Sequence, residues 1–162
     1  GNGRIGCLLI PLYLISNGLL AKPSLYLSDF FERNRDSYYD ALMQVRKSHD
    51  MIHWVRFFLR GIVETATKGR TVFREILVLR NEVEQSILSL GKRAQSASSA
   101  LNLLYRQPII RSTDLEKELF ISRPASNRLI NALIAKNILV EITGQQRWRV
   151  YAFQRYLNLF IR

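Results

Sequence analysis

The sequence predicts a mainly α-helical chain: a helical N-terminal part over residues 1–90, a linker over 91–99, and a winged helix-turn-helix with a small β-hairpin over 100–162. Three observations lead there. Apolar residues recur in steps of three and four from Ile5 to Leu90, the period of one helix face. Strand-type alternation is confined to the stretch from Ile138 to Phe153, where Gly144 marks a turn. Between these patterns, Gly91 and the polar tract Lys92 to Ser99 break the periodicity.

The elements follow in order. Ile5, Leu8, Leu9, Leu12 and Ile15 share one face of a first helix from about Arg4 to Ser16, with Gly18 as its stop. Pro11 lies inside it, removing a ladder hydrogen bond at a cost of ~3 kcal/mol, so packing must hold this helix. Lys22-Pro23-Ser24 is a connector, and Ser28-Asp29 starts a second helix running past Tyr38-Tyr39 to about Val45. The polar run Lys47-Ser48-His49-Asp50 ends it.

A third helix places Ile52, Val55, Phe58, Leu59, Ile62 and Val63 on one face and ends near Lys68-Gly69, and Thr71 caps a fourth. That fourth helix carries Val72, Ile76, Leu79, Val83 and Leu90 at coiled-coil spacing, a seam for packing within the chain or for a homodimer. Past the linker come a short helix from Ala100 to Tyr105, an extended link at Pro108-Ile109, and a capped helix from Thr113 through Phe120. Ile121-Ser122-Arg123-Pro124 turns into a longer helix ending near Lys136-Asn137. A hairpin of Ile138 to Thr143 and Arg147 to Phe153 follows, then a closing helix from Tyr156 to Ile161.

Composition bounds the function. The chain has 162 residues, 48% of them hydrophobic, enough for a core in one or two domains. Cys7 is the only cysteine, which excludes an internal disulfide or a thiolate metal cluster and predicts a reducing, cytoplasmic setting. His49 and His53 lie four apart, but no third ligand accompanies them, so no metal site is expected. The apolar run Ile5 to Ala21 is shorter than the ~20 residues of a membrane span and contains Pro11, Asn17 and Gly18, so a buried helix is expected. Gly1 is not an initiator Met and no signal-peptide pattern follows, which predicts a boundary inside a longer protein.

Charge and motifs point to two chemistries. Lys plus Arg number 24 against 13 Asp plus Glu, a net +11, and residues 96–162 alone carry +6 of it. A polyanion partner therefore belongs to the C-terminal module first. On the helix from Pro124 to Lys136, Leu129, Ile130, Leu133 and Ile134 form one face and Asn127, Arg128 and Asn131 the other. Asn and Arg pair with adenine and guanine edges in the major groove, the role of a recognition helix. In the hairpin, Arg147 and Arg149 flank Trp148, so both arginines project to one side, a wing for backbone phosphate. The same module also serves protein docking in other settings, and the residues alone leave both uses open.

At the other end, Gly1-Asn2-Gly3-Arg4 combines flexible residues with a helix start. Such a turn aims N–H groups outward at the positive end of the helix dipole, an anion cradle. The same four residues also suit an ordinary turn.

The chain resembles the C-terminal portion of a Fic-family protein. The family motif is His-Pro-Phe-x-Asp/Glu-Gly-Asn-Gly-Arg-x-x-Arg, which this chain enters at Gly1. Similarity continues through Leu8-Leu9-Ile10-Pro11-Leu12-Tyr13-Leu14, Lys22-Pro23, Leu25-Tyr26-Leu27-Ser28 and Phe30-Phe31-Glu32-Arg33-Asn34-Arg35. It extends through Tyr38-Tyr39, Trp54-Val55-Arg56-Phe57-Phe58-Leu59 and Arg147-Trp148-Arg149-Val150-Tyr151, and so spans nearly the whole chain.

The resemblance implies that residues 1–90 complete a Fic catalytic helical domain, and that the parent protein uses ATP and magnesium to transfer AMP to a hydroxyl side chain of a target protein. It implies phosphate contacts from Gly1, Asn2, Gly3 and Arg4. The motif His, the general base, and the metal-binding acid are not in the chain, which is therefore expected to be inactive as it stands. Cys7 occupies the position of the final motif arginine, where a thiol cannot contact the outer phosphate.

Overall fold

The computed structural model describes the backbone of residues 2–20 and 27–161, with side chains from Leu9 onward. It is mainly helical, with one three-stranded antiparallel sheet among the described residues. The chain forms two compact units, Gly1–Thr71 and Val72–Arg162.

The first unit is helical. Helix α1 covers Asn2–Ser16 with Pro11 inside it. It ends where Gly18 takes the left-handed conformation (φ 69°), while Leu19 N–H donates to Leu14 O at 2.8 Å and Gly18 N–H to Ile15 O at 3.0 Å. This paired closure satisfies carbonyls the helix would leave orphaned, and a glycine adopts it without strain. Helices α2 (Leu27–Arg33) and α3 (Arg35–Ser48) follow, and α4 (Ile52–Leu88) begins beyond Asp50, whose Oδ1 accepts the Ile52 N–H at 2.8 Å.

Aromatic rings form the centre of this unit. Phe30 is 2% exposed, its ring 5.2 Å from that of Phe57, and Phe31 and Tyr38 complete the cluster at 5.5–6.1 Å. Outside it, Arg33 binds Asp29 at 3.1 Å and Glu64 at 3.3 Å, tying α2 to α4 across a solvated edge. Such exposed pairs each contribute only ~0.2–1 kcal/mol, so the rings carry the packing.

The second unit has the element order of a winged helix-turn-helix. A 3-10 turn at Gly91–Arg93 leads into α5 (Ala94–Arg106), then β1 (Ile109–Arg111), α6 (Ser112–Leu119), α7 (Arg123–Ala135), β2 (Val140–Glu141), β3 (Val150–Ala152) and α8 (Gln154–Leu157). The sheet order is β1-β3-β2, with Ile110 opposite Tyr151 and Val140 opposite Ala152. One core joins Leu101 and Leu104 of α5, Leu115 of α6, Leu129, Ile130 and Leu133 of α7, Ile110, Ile138, Leu139 and Phe153. Leu79, Val83 and Ile87 of α4 close it from one side.

Several expectations change. The break at Lys68-Gly69 is absent: α4 is continuous, and Thr71 Oγ1 donates to Thr67 O at 3.1 Å within the helix instead of capping a new one. One interior glycine costs about 1 kcal/mol, less than packing on both sides returns. The helix expected from Ser28 to Val45 divides at Asn34, whose Nδ2 donates to Phe30 O at 2.9 Å. Of the expected apolar face, Ile52, Val55, Leu59 and Val63 are exposed and Phe58 and Ile62 half-buried, and α4 also packs through Phe57 and Gly61, where α2 supplies rings.

The tract 91–99 is not a free linker. Ala94, Ala97 and Ala100 repeat every three residues and place a stripe of small side chains against the core, so a polar-looking segment is helical. Residues 79–87, expected with the N-terminal part, pack in the second unit. The seam offered to a homodimer is occupied there, since Leu79 and Val83 are buried in their own unit's core.

Candidate nucleic-acid interface

Helix α7 owes its placement to a small polar network. Its N-cap is Ser122, and Pro124 sits in its first turn, where the missing N–H costs nothing. Ser126 is fully buried on the apolar side, and its Oγ donates to Ser112 O at 3.0 Å. The Ser112 hydroxyl lies 2.8 Å from Glu116 Oε1, 3.1 Å from Ser126 Oγ and 3.1 Å from Asn127 Oδ1. A buried hydroxyl without these partners would cost ~1–3 kcal/mol, so the network fixes the register between α6 and α7. Sequence reasoning missed it. The signal was Ser126 itself, a polar residue at a core position between Ala125 and Leu129.

The solvent face of α7 then carries Asn127, Arg128 and Asn131, all exposed and all on one helix as expected. Asn127 is held toward α6 by Ser112. The side chains of Arg128 and Asn131 have no hydrogen-bond or ion-pair partner among the described residues, which leaves their donors free for a ligand.

The wing differs from the expected strand. Arg147 and Arg149 lie in a bend between β2 and β3, and Trp148 between them has φ 60°. Alternation of side chains requires extended backbone, and one left-handed residue cancels it. Arg149 Nε turns back to donate to Gln145 O at 2.8 Å, while Arg147 stays exposed and unpaired among the described residues. Trp148 is 80% exposed at the bend. At its base, Glu141 gathers the turn, accepting the Thr143 hydroxyl, the Thr143 N–H at 2.8 Å and the Gly144 N–H at 3.0 Å. The Thr143 hydrogen bonds, then that of Gly144 and the charge of Arg149, hold the carboxyl below its ordinary range.

A second exposed aromatic marks the helix-turn-helix. Phe120 closes α6 in the left-handed conformation (φ 52°) and is 94% exposed. Neither it nor Trp148 was singled out as a contact in the sequence.

The N-terminal cradle is less fully described. Gly1 lies outside the described residues, and Asn2, Gly3 and Arg4 form the first turn of α1, with their side chains and that of Cys7 outside them too. No protein-family model matches this chain. His49 ends α3 in the left-handed conformation and so is not on one helix with His53. Among the described residues, no group of three or more His, Cys, Asp or Glu is placed to hold a metal, and no helix is long and apolar enough to cross a membrane.

Proposed function

We propose that the chain is the C-terminal portion of a Fic-type protein whose parent transfers AMP from ATP to a hydroxyl side chain of a target protein. The observation that carries this reading is the sequence Gly1-Asn2-Gly3-Arg4, of which Asn2 to Arg4 form the first turn of α1, with the family's residues recurring along the chain as far as Tyr151. The first turn of a helix has N–H groups with no intrahelical partner, and an anion is the natural occupant. Phosphoryl chemistry rests mainly on positioning and charge neutralisation, which such a cradle supplies.

The parent's magnesium would be held by the motif acid, whose place in the family motif is directly before Gly1. The motif His belongs ahead of Gly1 and Cys7 stands where the last motif arginine would, so AMP transfer is assigned to the parent protein. Its single cysteine suits a cytoplasmic protein. Labelled ATP and magnesium incubated with a longer chain that carries the motif His and acid ahead of Gly1 test the reading. Labelled protein supports it, and no labelled product on itself or any other protein counts against it.

A second reading has its own observation, the unpaired Arg128 and Asn131 on α7. In it the winged helix contacts duplex DNA, with α7 toward the major groove and the wing on the backbone, as a transcriptional regulator or interaction module for which residues 1–71 are scaffold. Duplex binding that weakens steeply as salt rises supports it, and no binding near ~50 mM salt rejects it.

A further inference from the structure

A cavity of about 240 Å³ opens between the start of α5 and one flank of α7, lined by Arg93, Ser96, Ile121, Ala125, Arg128 and Leu129. We infer that it is a phosphate-binding cleft in which Arg93 and Arg128 grip one backbone phosphate of duplex DNA. This rests on the DNA reading of the winged helix and assigns Arg128 to the backbone rather than to a base edge.

The charge distribution carries the argument. No lining residue is acidic, and the side chains of Arg93 and Arg128 have no hydrogen-bond or ion-pair partner among the described residues. Six of the seven acids in this unit are engaged elsewhere: Glu84 on Arg80, Glu118 on Arg106, Glu82 on Arg155, Asp114 on the Arg111 N–H, Glu116 on Ser112 and Glu141 on the wing. Two arginines thus line one cavity that holds no acidic residue. The apolar part of the lining, Ile121, Ala125 and Leu129, offers no side-chain acceptor to compete with a phosphate for the two arginines.

Geometry divides the labour along α7. Arg128 shares the cleft flank with Ala125 and Leu129, while Asn127 is drawn to the opposite flank by Ser112. Asn127 and Asn131 are left to meet base edges, and Arg93, in what reads as a linker from sequence, becomes part of the interface. Phosphate contacts position a protein without reading sequence, so the cleft would set register while the two asparagines supply preference.

The test uses the 162-residue chain and a set of fluorescein-labelled DNA duplexes of different sequence, with anisotropy followed over a salt series. Arg93→Ala and Arg128→Ala are each expected to weaken binding to all sequences alike and to lower the slope of log K against log salt by about 0.9, one phosphate contact. Arg93→Lys is expected to keep the slope. Asn131→Ala is expected to change sequence preference and leave the slope unaltered. If the wild-type chain binds the duplex with a steep slope and Arg93→Ala leaves it unchanged, the cleft is not a phosphate site while the DNA reading stands. If the wild-type chain fails to bind at low salt, or prefers a double-stranded RNA of the same sequence, the DNA reading falls and this inference with it. Arg93 is exposed, so its removal should leave the thermal midpoint unchanged, which separates lost contact from lost fold.

Discussion

The ring of Phe30 packs against Gly61, so that a Cβ at residue 61 would stand 2.6 Å from Phe30 Cδ1 and 2.7 Å from Cε1. The contact joins α2 to α4 and defines which face of α4 is inside the first unit. It also sets two glycines of one helix against each other, because a Cβ at Gly69 would meet nothing within 4 Å.

Gly61→Ala should therefore destabilise the protein although alanine is the better helix former. The overlap with a buried ring costs about 1–3 kcal/mol, against about 1 kcal/mol gained in propensity. Gly69→Ala, with no clash, should stabilise by roughly 0.5–1 kcal/mol. Urea unfolding of the two variants checks this, with midpoints moving in opposite directions.

Tyr105 has a buried hydroxyl with no hydrogen-bond partner among the described residues, amid the rings of Phe153 and Tyr156 and with Arg80 6.0 Å above its face. Removing an unsatisfied polar atom while keeping the ring should be neutral or stabilising, so Tyr105→Phe is expected to raise the melting temperature or leave it unchanged. Burial pushes this phenol up to about 12. Because the folded state raises the pKa of an acid, its contribution is present below pH ~10 and is lost as pH rises from there through about 12. A wild-type melting temperature that falls more steeply than that of Tyr105→Phe above pH 10 is the expected signature.

Ser126→Ala should cost about 1–3 kcal/mol, since the Ser112 carbonyl loses its buried donor and the α6–α7 register loses its clamp. Hydrogen exchange should quicken first at the start of α7. Equal stability and unchanged exchange would show that the clamp carries nothing.

The wing should loosen in acid. Glu141 is held below the ordinary carboxylate range, so the stability it gives is present at neutral pH and is lost as pH falls through its lowered pKa. In an NMR titration the amide signals of Thr143 and Gly144 should move together with a midpoint below that of an ordinary glutamate. Glu141→Gln should abolish the step.

Much of this fold is legible in the sequence, and the exceptions are physical. Gly18, the polar break at 47–50 and the turn before Pro124 act as read, because local signals need only local residues. Gly69 does not stop a helix because α4 is held by packing with two different units, which no window of residues displays. The exposed face of α7 was readable from its period. The loss of wing alternation was not, since nothing in Arg147-Trp148-Arg149 announces a left-handed tryptophan. Arg93 was hidden by composition: Gly, Lys, Ser and Gln resemble a linker until Ala94, Ala97 and Ala100 are seen as one buried stripe.

The central claim is that Gly1 continues a Fic motif, and sequencing the coding region immediately upstream of Gly1 tests it most directly. The account predicts an Asp or Glu directly before Gly1 and a His-Pro-Phe run beginning at the fifth residue before it. Any upstream sequence lacking both the His and the acid would contradict it.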